Sequence, residues 1–347
     1  MNDVDSFKKM IKNNIQFEYN ILENWYDTGN VDSYNKLSNV IKPNYYVLEK
    51  NYESLCFFEN KVIKFINDKE INKKRIIRGK QLYPLSPKIL NYTDNFLSME
   101  LIDGDILSDI YEYGIIYNLL NWSKQNLWTE ELKKEEHIDC CRRFYITKTI
   151  DRINKLHFLH QEKNRINGLM CKNIIETIQN LPDNLLTNDT FTKFHGDFIL
   201  DNIIKTSCEN NQIHESVTNS ESITPGNCYM FKLLDWRHEF DNQIIYGDIY
   251  YDLAKLRHNI IFNHKNILDK LFTIEYTDNN VIVDLKCNYF QIQQLTDFDK
   301  FVIENNYNLK KIKILTSIIW INMSPLYEGK LSEFLFYFGK YNLLLSL

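Results

Sequence analysis

The chain has 347 residues, 44% of them apolar and 25% charged, with a net charge of −5. This length can bury a core large enough for two lobes, and the composition is that of a folded globule. The mild acidic balance excludes the basic footprint of a nucleic-acid binder and is too weak to indicate a cationic ligand. Seven cysteines, an odd number with no Cys-x-x-Cys pair, read as reduced thiols. Met1 to Asp5 has neither the basic nor the apolar region of a signal peptide. The apolar run 314–327 is too short and too polar to span a bilayer. A cytoplasmic protein is expected.

Residues 5–25 place Phe7, Ile11, Ile15, Ile21 and Leu22 at roughly helical spacing, and residues 1–40 are expected to form a helical leader. Within it, Trp25-Tyr26-Asp27-Thr28-Gly29-Asn30 and Tyr34 resemble the Trp-x-Asp-x-Gly-x4-Tyr segment that closes the catalytic domain of sugar nucleotidyltransferases. The Gly-rich core of those enzymes is absent, and a helix, a turn at 28–30 and a second helix start at Asp32 account for the same residues. From Tyr45 the pattern changes to short β-rich runs, 45–50, 54–58 and 62–66, separated by Asn-rich turns. The last of them carries Lys64. Residues 69–82 read as a basic helix containing Glu70. Pro84 and Pro87 then break the chain before strands at 88–91 and 96–102, and Gly104 follows.

Beyond that glycine the pattern is helical. Ile146, Ile150, Ile153, Leu156 and Leu159 mark one face of a helix ending at His160, and a further helix is expected near 172–180. His157 and His160 lack metal-ligand partners in the sequence and read as surface or core histidines. Next comes Phe194-His195-Gly196-Asp197-Phe198-Ile199-Leu200-Asp201-Asn202-Ile203-Ile204, an apolar strand end, a tight loop and another short strand. Phe231-Lys232-Leu233-Leu234-Asp235-Trp236 again ends a strand in a single Asp. The polar stretch between them, 205–230, reads as an exposed hairpin insertion, its Cys208, His214 and Cys228 too scattered for a compact metal cluster. Gly247-Asp248-Ile249-Tyr250-Tyr251-Asp252-Leu253-Ala254 opens a helix with Asp248 at its N-cap. Strands at 272–276 and 281–285 and apolar helices at 311–323 and 331–345 complete the chain.

Phosphoryl transfer asks for a carboxylate that orients the attacking hydroxyl and for oxygen ligands that hold magnesium on the phosphates. Asp197, Asn202 five residues later and Asp235 supply those parts. Asp residues that merely cap turns would give the same letters one at a time, but not three such motifs in this order. His-Gly-Asp-x4-Asn, Leu-Asp-Trp and Gly-Asp-x3-Asp-Leu-Ala together resemble the aminoglycoside phosphotransferase and choline kinase branch of the protein-kinase-like fold, over roughly residues 40–347.

That resemblance implies an α+β, bilobal protein-kinase-like fold, with a small antiparallel nucleotide-binding lobe at 41–103 and a larger, mainly helical lobe at 104–347. It assigns Asp197 to the hydroxyl, Asn202 and Asp235 to Mg2+, and Lys64 to the nucleotide phosphates. Glu100 and Ile102 fall on the hinge strand that holds adenine, His195 fixes the loop, and Asp248 and Asp252 brace it. Glu70 is the carboxylate nearest in sequence to serve as partner of Lys64. No Gly-x-Gly-x-x-Gly precedes Lys64. The implied activity is phosphorylation of a small-molecule hydroxyl by ATP or another nucleoside triphosphate. The leader adds a similarity to phosphotransferases of capsule and lipopolysaccharide loci, which favours a sugar or amino alcohol as acceptor and a nucleotidyltransferase as a partner. Three alternatives remain open at this point, an inactive nucleotide-binding regulator, a scaffold partner of a nucleotidyltransferase and a protein kinase.

Overall fold

The computed structural model describes residues 3–13, 15, 52–206 and 230–347. The nucleotidyltransferase-like segment at 25–34, the strand expected at 45–50 and most of the polar insertion lie outside these residues. The chain divides into two units, Met1–Glu49 and Lys50–Leu347. The first contains helix α1 (Asp3–Lys12). The second carries every candidate site residue.

Its first portion is a four-stranded antiparallel sheet. Strands β1 (Glu53–Phe57) and β2 (Lys61–Ile66) form a hairpin, with Leu55 opposite Lys64. Helix α2 (Lys69–Leu82) follows directly, because the Asp68 carboxylate accepts hydrogen bonds from the backbone N–H groups of Glu70 (2.9 Å) and Ile71 (3.1 Å) and so starts the helix. Strands β3 (Ile89–Tyr92) and β4 (Phe96–Glu100) complete the sheet in the order β1-β2-β4-β3. Alternation along β2 and β4 buries Ile66 and Leu97 beneath α2, whose Ile76 and Leu82 face the same core.

A short strand β5 (Asp105–Ile106) leads into the helical portion. Helix α3 (Ile115–Asn126) precedes strand β6 (Leu132–Lys133). Helix α4 (Glu136–Arg142) then runs through a π turn at Arg143–Thr147 into α5 (Lys148–Ile153). The helix expected to reach His160 therefore stops earlier. The Asn154 N–H closes the last turn on Ile150 O (3.0 Å), and His157 and His160 lie exposed beyond it. A hairpin of β7 (Arg165–Ile166) and β8 (Leu169–Met170) and helices α6 (Ile174–Gln179) and α7 (Asp183–Leu186) form the insert before the loop 194–202.

Strand β9 (Thr190–Lys193) delivers that loop, and β10 (Ile203–Thr206) pairs with β11 (Met230–Leu233) so that Ile203 faces Leu233. After β12 (Tyr246–Gly247) come α8 (Ile249–Ile261) and α9 (His264–Leu268). The hairpin of β13 (Phe272–Thr277) and β14 (Asn280–Leu285) follows, then α10 (Tyr289–Glu304), α11 (Leu309–Met323) and α12 (Gly329–Ser346). Helix α11 is the centre of this portion. Ile312, Ile314, Leu315 and Ile321 have no exposed surface and pack against α8 and α12. Each such side chain contributes roughly 1.5–3 kcal/mol of burial free energy. Among the described residues no helix is long and apolar enough to cross a membrane. The architecture is α+β, an antiparallel sheet with its helix followed by a larger helical body, as expected of a bilobal kinase-like chain.

Candidate active site

Three loops converge at the junction between sheet and helical body. Lys64 projects from the middle of β2, with only 6% of its side chain exposed, so its ammonium must find partners inside the protein. It finds two. Glu53 Oε2 on the neighbouring strand lies 2.8 Å away and Asp235 Oδ1 lies 2.5 Å away. Asp235 follows β11 with φ +48°, a left-handed turn that aims its carboxylate back at the sheet.

The partner expected from the sequence, Glu70, is not the one used. It sits on the exposed first turn of α2, and α2 directs a cation rather than an anion into the site. Arg75 bonds Asp235 Oδ1 through Nη1 and Glu53 Oε1 through Nη2, the second at 3.0 Å. The helix is locked in that position by three further contacts. Trp236 Nε1 donates to Arg75 O (2.9 Å), Arg78 donates to Phe194 O, and the Arg78 guanidinium lies 3.9 Å from the Phe194 ring centroid. Gly79 makes the first possible, since a Cβ there would collide with the Trp236 ring.

The loop 194–202 is held by one buried acid, Asp252, while a second, Asp248, fixes the start of the helix that carries it. Asp252 accepts from the backbone N–H groups of His195 and Gly196, both at 2.7 Å, and from Trp128 Nε1 at 3.1 Å. Burial pushes its carboxyl up to about 6, with those N–H donors pulling the other way. Asp248 caps α8 through the Tyr250 N–H (3.1 Å) and accepts from Tyr145 Oη (2.9 Å) and Asn188 Nδ2 (3.1 Å). Both acids have no exposed surface, so neither can touch a substrate. Asp252 braces the loop as expected, whereas Asp248 contacts Tyr145, Asn188 and the first turn of α8 rather than the loop itself.

His195 is equally buried and bridges two loops. The Asp197 N–H points at Nδ1 (3.2 Å), which must therefore be the acceptor. The proton sits on Nε2, which donates to Leu234 O (2.8 Å). Burial holds the imidazole down at about 4, and it serves as a neutral strut. Gly196 has φ +84°, and a Cβ there would lie 2.5 Å from Arg237 Cβ and 2.8 Å from the Phe194 ring, so the turn before Asp197 requires glycine.

Asp197 differs from its two acidic neighbours in being reachable, with 30% of its side chain exposed. Asn202 Nδ2 donates to Asp197 O (3.0 Å) and Oδ2 (3.3 Å), and Leu234 N donates to Asn202 O (2.7 Å), which ties the catalytic loop to the strand end carrying Asp235. The other Asp197 oxygen, Oδ1, pairs with Lys255 Nζ at 2.7 Å. Burial opposes the Lys255 charge, and the Asp197 carboxylate, by its charge and its hydrogen bond, together with Tyr251 holds the ammonium above its ordinary range. Glu100 ends β4, where its carboxylate accepts from Lys88 N (2.8 Å), and Ile102 lies half-buried on the segment running to Gly104.

Lys64, Asp197, Asn202, Asp235 and His195 thus form one connected network. Glu53, Arg75 and Lys255 are members that the sequence reading missed. Lys255 was detectable, because it lies three residues after Asp252 on the same helix. Glu53 and Arg75 were not, since only the β1-β2 register and the packing of α2 bring them to Lys64. The donor set suits magnesium. Asp235 and Asn202 offer hard oxygens, and Mg2+ takes one or two protein ligands plus phosphate oxygens rather than a full protein cage. No cluster of three or more His, Cys, Asp or Glu able to hold a metal occurs among the described residues.

The buried histidines give the fold a defined acid sensitivity. Burial lowers His195 and His238 to about 4 and His258 to about 3, against roughly 6.5 when unfolded. Between those values the unfolded chain binds protons that the folded chain refuses, so stability falls as pH drops below about 6.5. Asp252 and Asp299, raised by burial, work in the opposite sense above their unfolded values, whereas Lys148, lowered to about 6, adds to the three histidines. Guanidinium unfolding at pH 7 and pH 5 should show a lower midpoint at pH 5; an equal or higher midpoint would contradict the buried neutral histidines.

No family model matches the chain, and no curated protein matches its sequence. Solved structures with a similar chain path are small-molecule kinases. An ADP-bound aminoglycoside phosphotransferase, APH(2'')-Ib, is 16% identical, covering 88% of this chain and 97% of that one, with a TM-score of 0.44. A Plasmodium vivax ethanolamine kinase is 14% identical, covering 100% and 94%, with a TM-score of 0.41. A glucosamine kinase in complex with glucosamine, ADP and inorganic phosphate is 7% identical, covering 92% and 83%, with a TM-score of 0.43. At these values the resemblance is distant, and the chemistry has to be read from the chain's own residues.

Proposed function

We propose that this protein is an ATP-dependent phosphotransferase acting on a hydroxyl of a small molecule, a sugar or sugar-like alcohol, in the cytoplasm. The observation that carries this reading is the linkage of a reachable carboxylate, Asp197, through Asn202 to an Asp235–Lys64 pair 2.5 Å apart. Asp197 orients the acceptor hydroxyl and takes its proton, while Lys64 draws charge from the nucleotide phosphates. Asp235 and Asn202 would hold Mg2+, which supplies charge neutralisation on the transferred phosphoryl group when bound. Lys64 and Arg75 now share Asp235 between them, so any other cation on that carboxylate frees both side chains for phosphate oxygens. His195 keeps the loop in register and takes no part in proton transfer.

A small acceptor is favoured over a peptide by chain length. Only eleven residues separate Asp235 from Gly247, and part of that segment closes on itself through the Phe240 and Gln243 backbone pair at 2.9 Å. Nothing resembling an Ala-Pro-Glu anchor follows. Full-length protein incubated with labelled ATP and Mg2+ should phosphorylate members of a panel of sugars and amino alcohols and give no transfer to a broad peptide library. Sequence-selective peptide phosphorylation would overturn the reading.

A further inference from the structure

A group of basic side chains lies close to the loop that carries Asp197. Lys148 is the first residue of α5, immediately after the π turn, and Arg152 lies one helical turn further on the same face. Arg237 leaves the strand end two residues after Asp235, and its N–H donates to His195 O (3.1 Å), which fixes it beside the catalytic loop. Lys148 Nζ lies 4.2 Å from the Phe144 ring centroid, and the Arg237 guanidinium lies 5.0 Å from the same centroid and 5.9 Å from that of Tyr251. Two cations thus share one aromatic ring, and Tyr251 is four residues from Lys255 on α8.

None of the three has a carboxylate within ion-pair distance among the described residues. Arg237 Nε is held by Glu239 O (2.9 Å), and Arg152 Nη1 by Asn322 Oδ1 (3.1 Å). The nearby acids are already engaged. Glu239 pairs with Lys74 (2.7 Å), Asp241 with Arg143 (2.7 Å) and Asp197 with Lys255 (2.7 Å). Burial, and then the charges of Arg237, Arg152 and Lys255, drive the Lys148 ammonium down to about 6. At pH 7 burial and the neighbouring guanidinium groups therefore leave Lys148 largely a neutral amine beside Arg152 and Arg237, and a bound anion would favour its protonated form.

We infer that the acceptor is an alcohol that also carries a negative charge, a carboxylate or a phosphate, and that Lys148, Arg152 and Arg237 receive that charge while Asp197 faces the hydroxyl. This rests on the phosphotransferase reading for the hydroxyl, but the anion site can be tested without it. Sulfate titrated calorimetrically into the full chain with saturating ADP and Mg2+ should bind, with affinity at least tenfold weaker in Lys148→Gln and in Arg237→Gln and unchanged in Lys64→Gln. No sulfate binding, or equal binding in all variants, overturns the inference. So would a Lys148→Gln protein whose loss is confined to nucleotide affinity, because the cluster would then serve the donor. Melting temperatures identify a variant that fails to fold, and two variants on different elements keep the test independent of either.

The second arm uses one ring with four charges. ATP consumption should be at least tenfold faster, as kcat/KM, with glucuronate or glucose 6-phosphate than with glucose or glucosamine, and the preference should vanish in Lys148→Gln. The better of the two anionic sugars separates carboxylate from phosphate. A preference for glucose or glucosamine sinks the anion site and leaves the phosphotransferase reading standing. Where none of the four accepts phosphate, sulfate binding decides the anion site and ADP binding decides the other reading.

Discussion

Replacing Asp197 by Asn is expected to lower turnover by about two to four orders of magnitude, the contribution typical of a positioned general base, while nucleotide affinity stays within about twofold. The substitution keeps the shape of the side chain. Asn202 can still bond the Asp197 main-chain oxygen at 3.0 Å, so the loop keeps its anchor to the Asp235 strand end. What is lost is the charge that aligns the acceptor hydroxyl and takes its proton. Lys64 and Asp235, on the nucleotide side, pair with each other and with Arg75 and Glu53, so that network is undisturbed. One side effect is built into the structure. Lys255 loses the carboxylate 2.7 Å away that offsets the burial of its ammonium, so the variant should also melt at a lower temperature. Adding Lys255→Met should recover stability without recovering turnover, which separates the two roles. Wild-type turnover in Asp197→Asn would remove this residue from the mechanism.

Much of the fold was legible because local signals dominate it. The 69–82 helix was readable from its composition and its Asp68 cap, and 14 residues of helix lie where the pattern put them. The terminal helices were readable from unbroken apolar periodicity. Helix α10 was overlooked although Asn288 and Gln291 form a capping box, because its polar residues dilute the apolar stripe. The helix running to His160 was overextended for the opposite reason. Leu156 and Leu159 continue the period, but they follow it in separate turns after the backbone has left the helix.

The candidate site divides along the same line. His195, Asp197, Asn202, Asp235, Asp248 and Asp252 stand in short motifs that the sequence displays directly, and the fold brings those motifs close together. The partner of Lys64 could not. Sequence proximity selected Glu70, whereas Glu53, one residue before the strand expected at 54–58, reaches Lys64 across the hairpin. Nothing in the sequence singles out Lys148, Arg152 and Arg237. Only the convergence of Lys148 and Arg237 over Phe144, with Arg152 one helical turn away and no acid paired with them, gives them a meaning. Contacts between distant segments are set by register and packing, and no local pattern carries them.

Replacing Asp235 by Ala should remove the Mg2+ dependence of ATP binding and lower turnover by about two to three orders of magnitude, the scale seen when a group stabilising transition-state charge is lost. The carboxylate is 24% exposed and joined to two cations, Lys64 at 2.5 Å and Arg75. Removing it takes away one of the few hard oxygen ligands available to Mg2+. It also leaves Lys64 and Arg75 with Glu53 as the remaining partner they share, which frees positive charge next to the phosphate path. Metal-free ATP should therefore bind the variant at least as tightly as it binds the parent chain, while added Mg2+ no longer improves the affinity. Calorimetric titration of ATP with magnesium and with EDTA reads both effects in one experiment. A variant whose affinity still rises with Mg2+ as in the parent would place the metal elsewhere. One that loses metal-free binding as well would show that Asp235 organises Lys64 and Arg75 rather than competing with the phosphates for them.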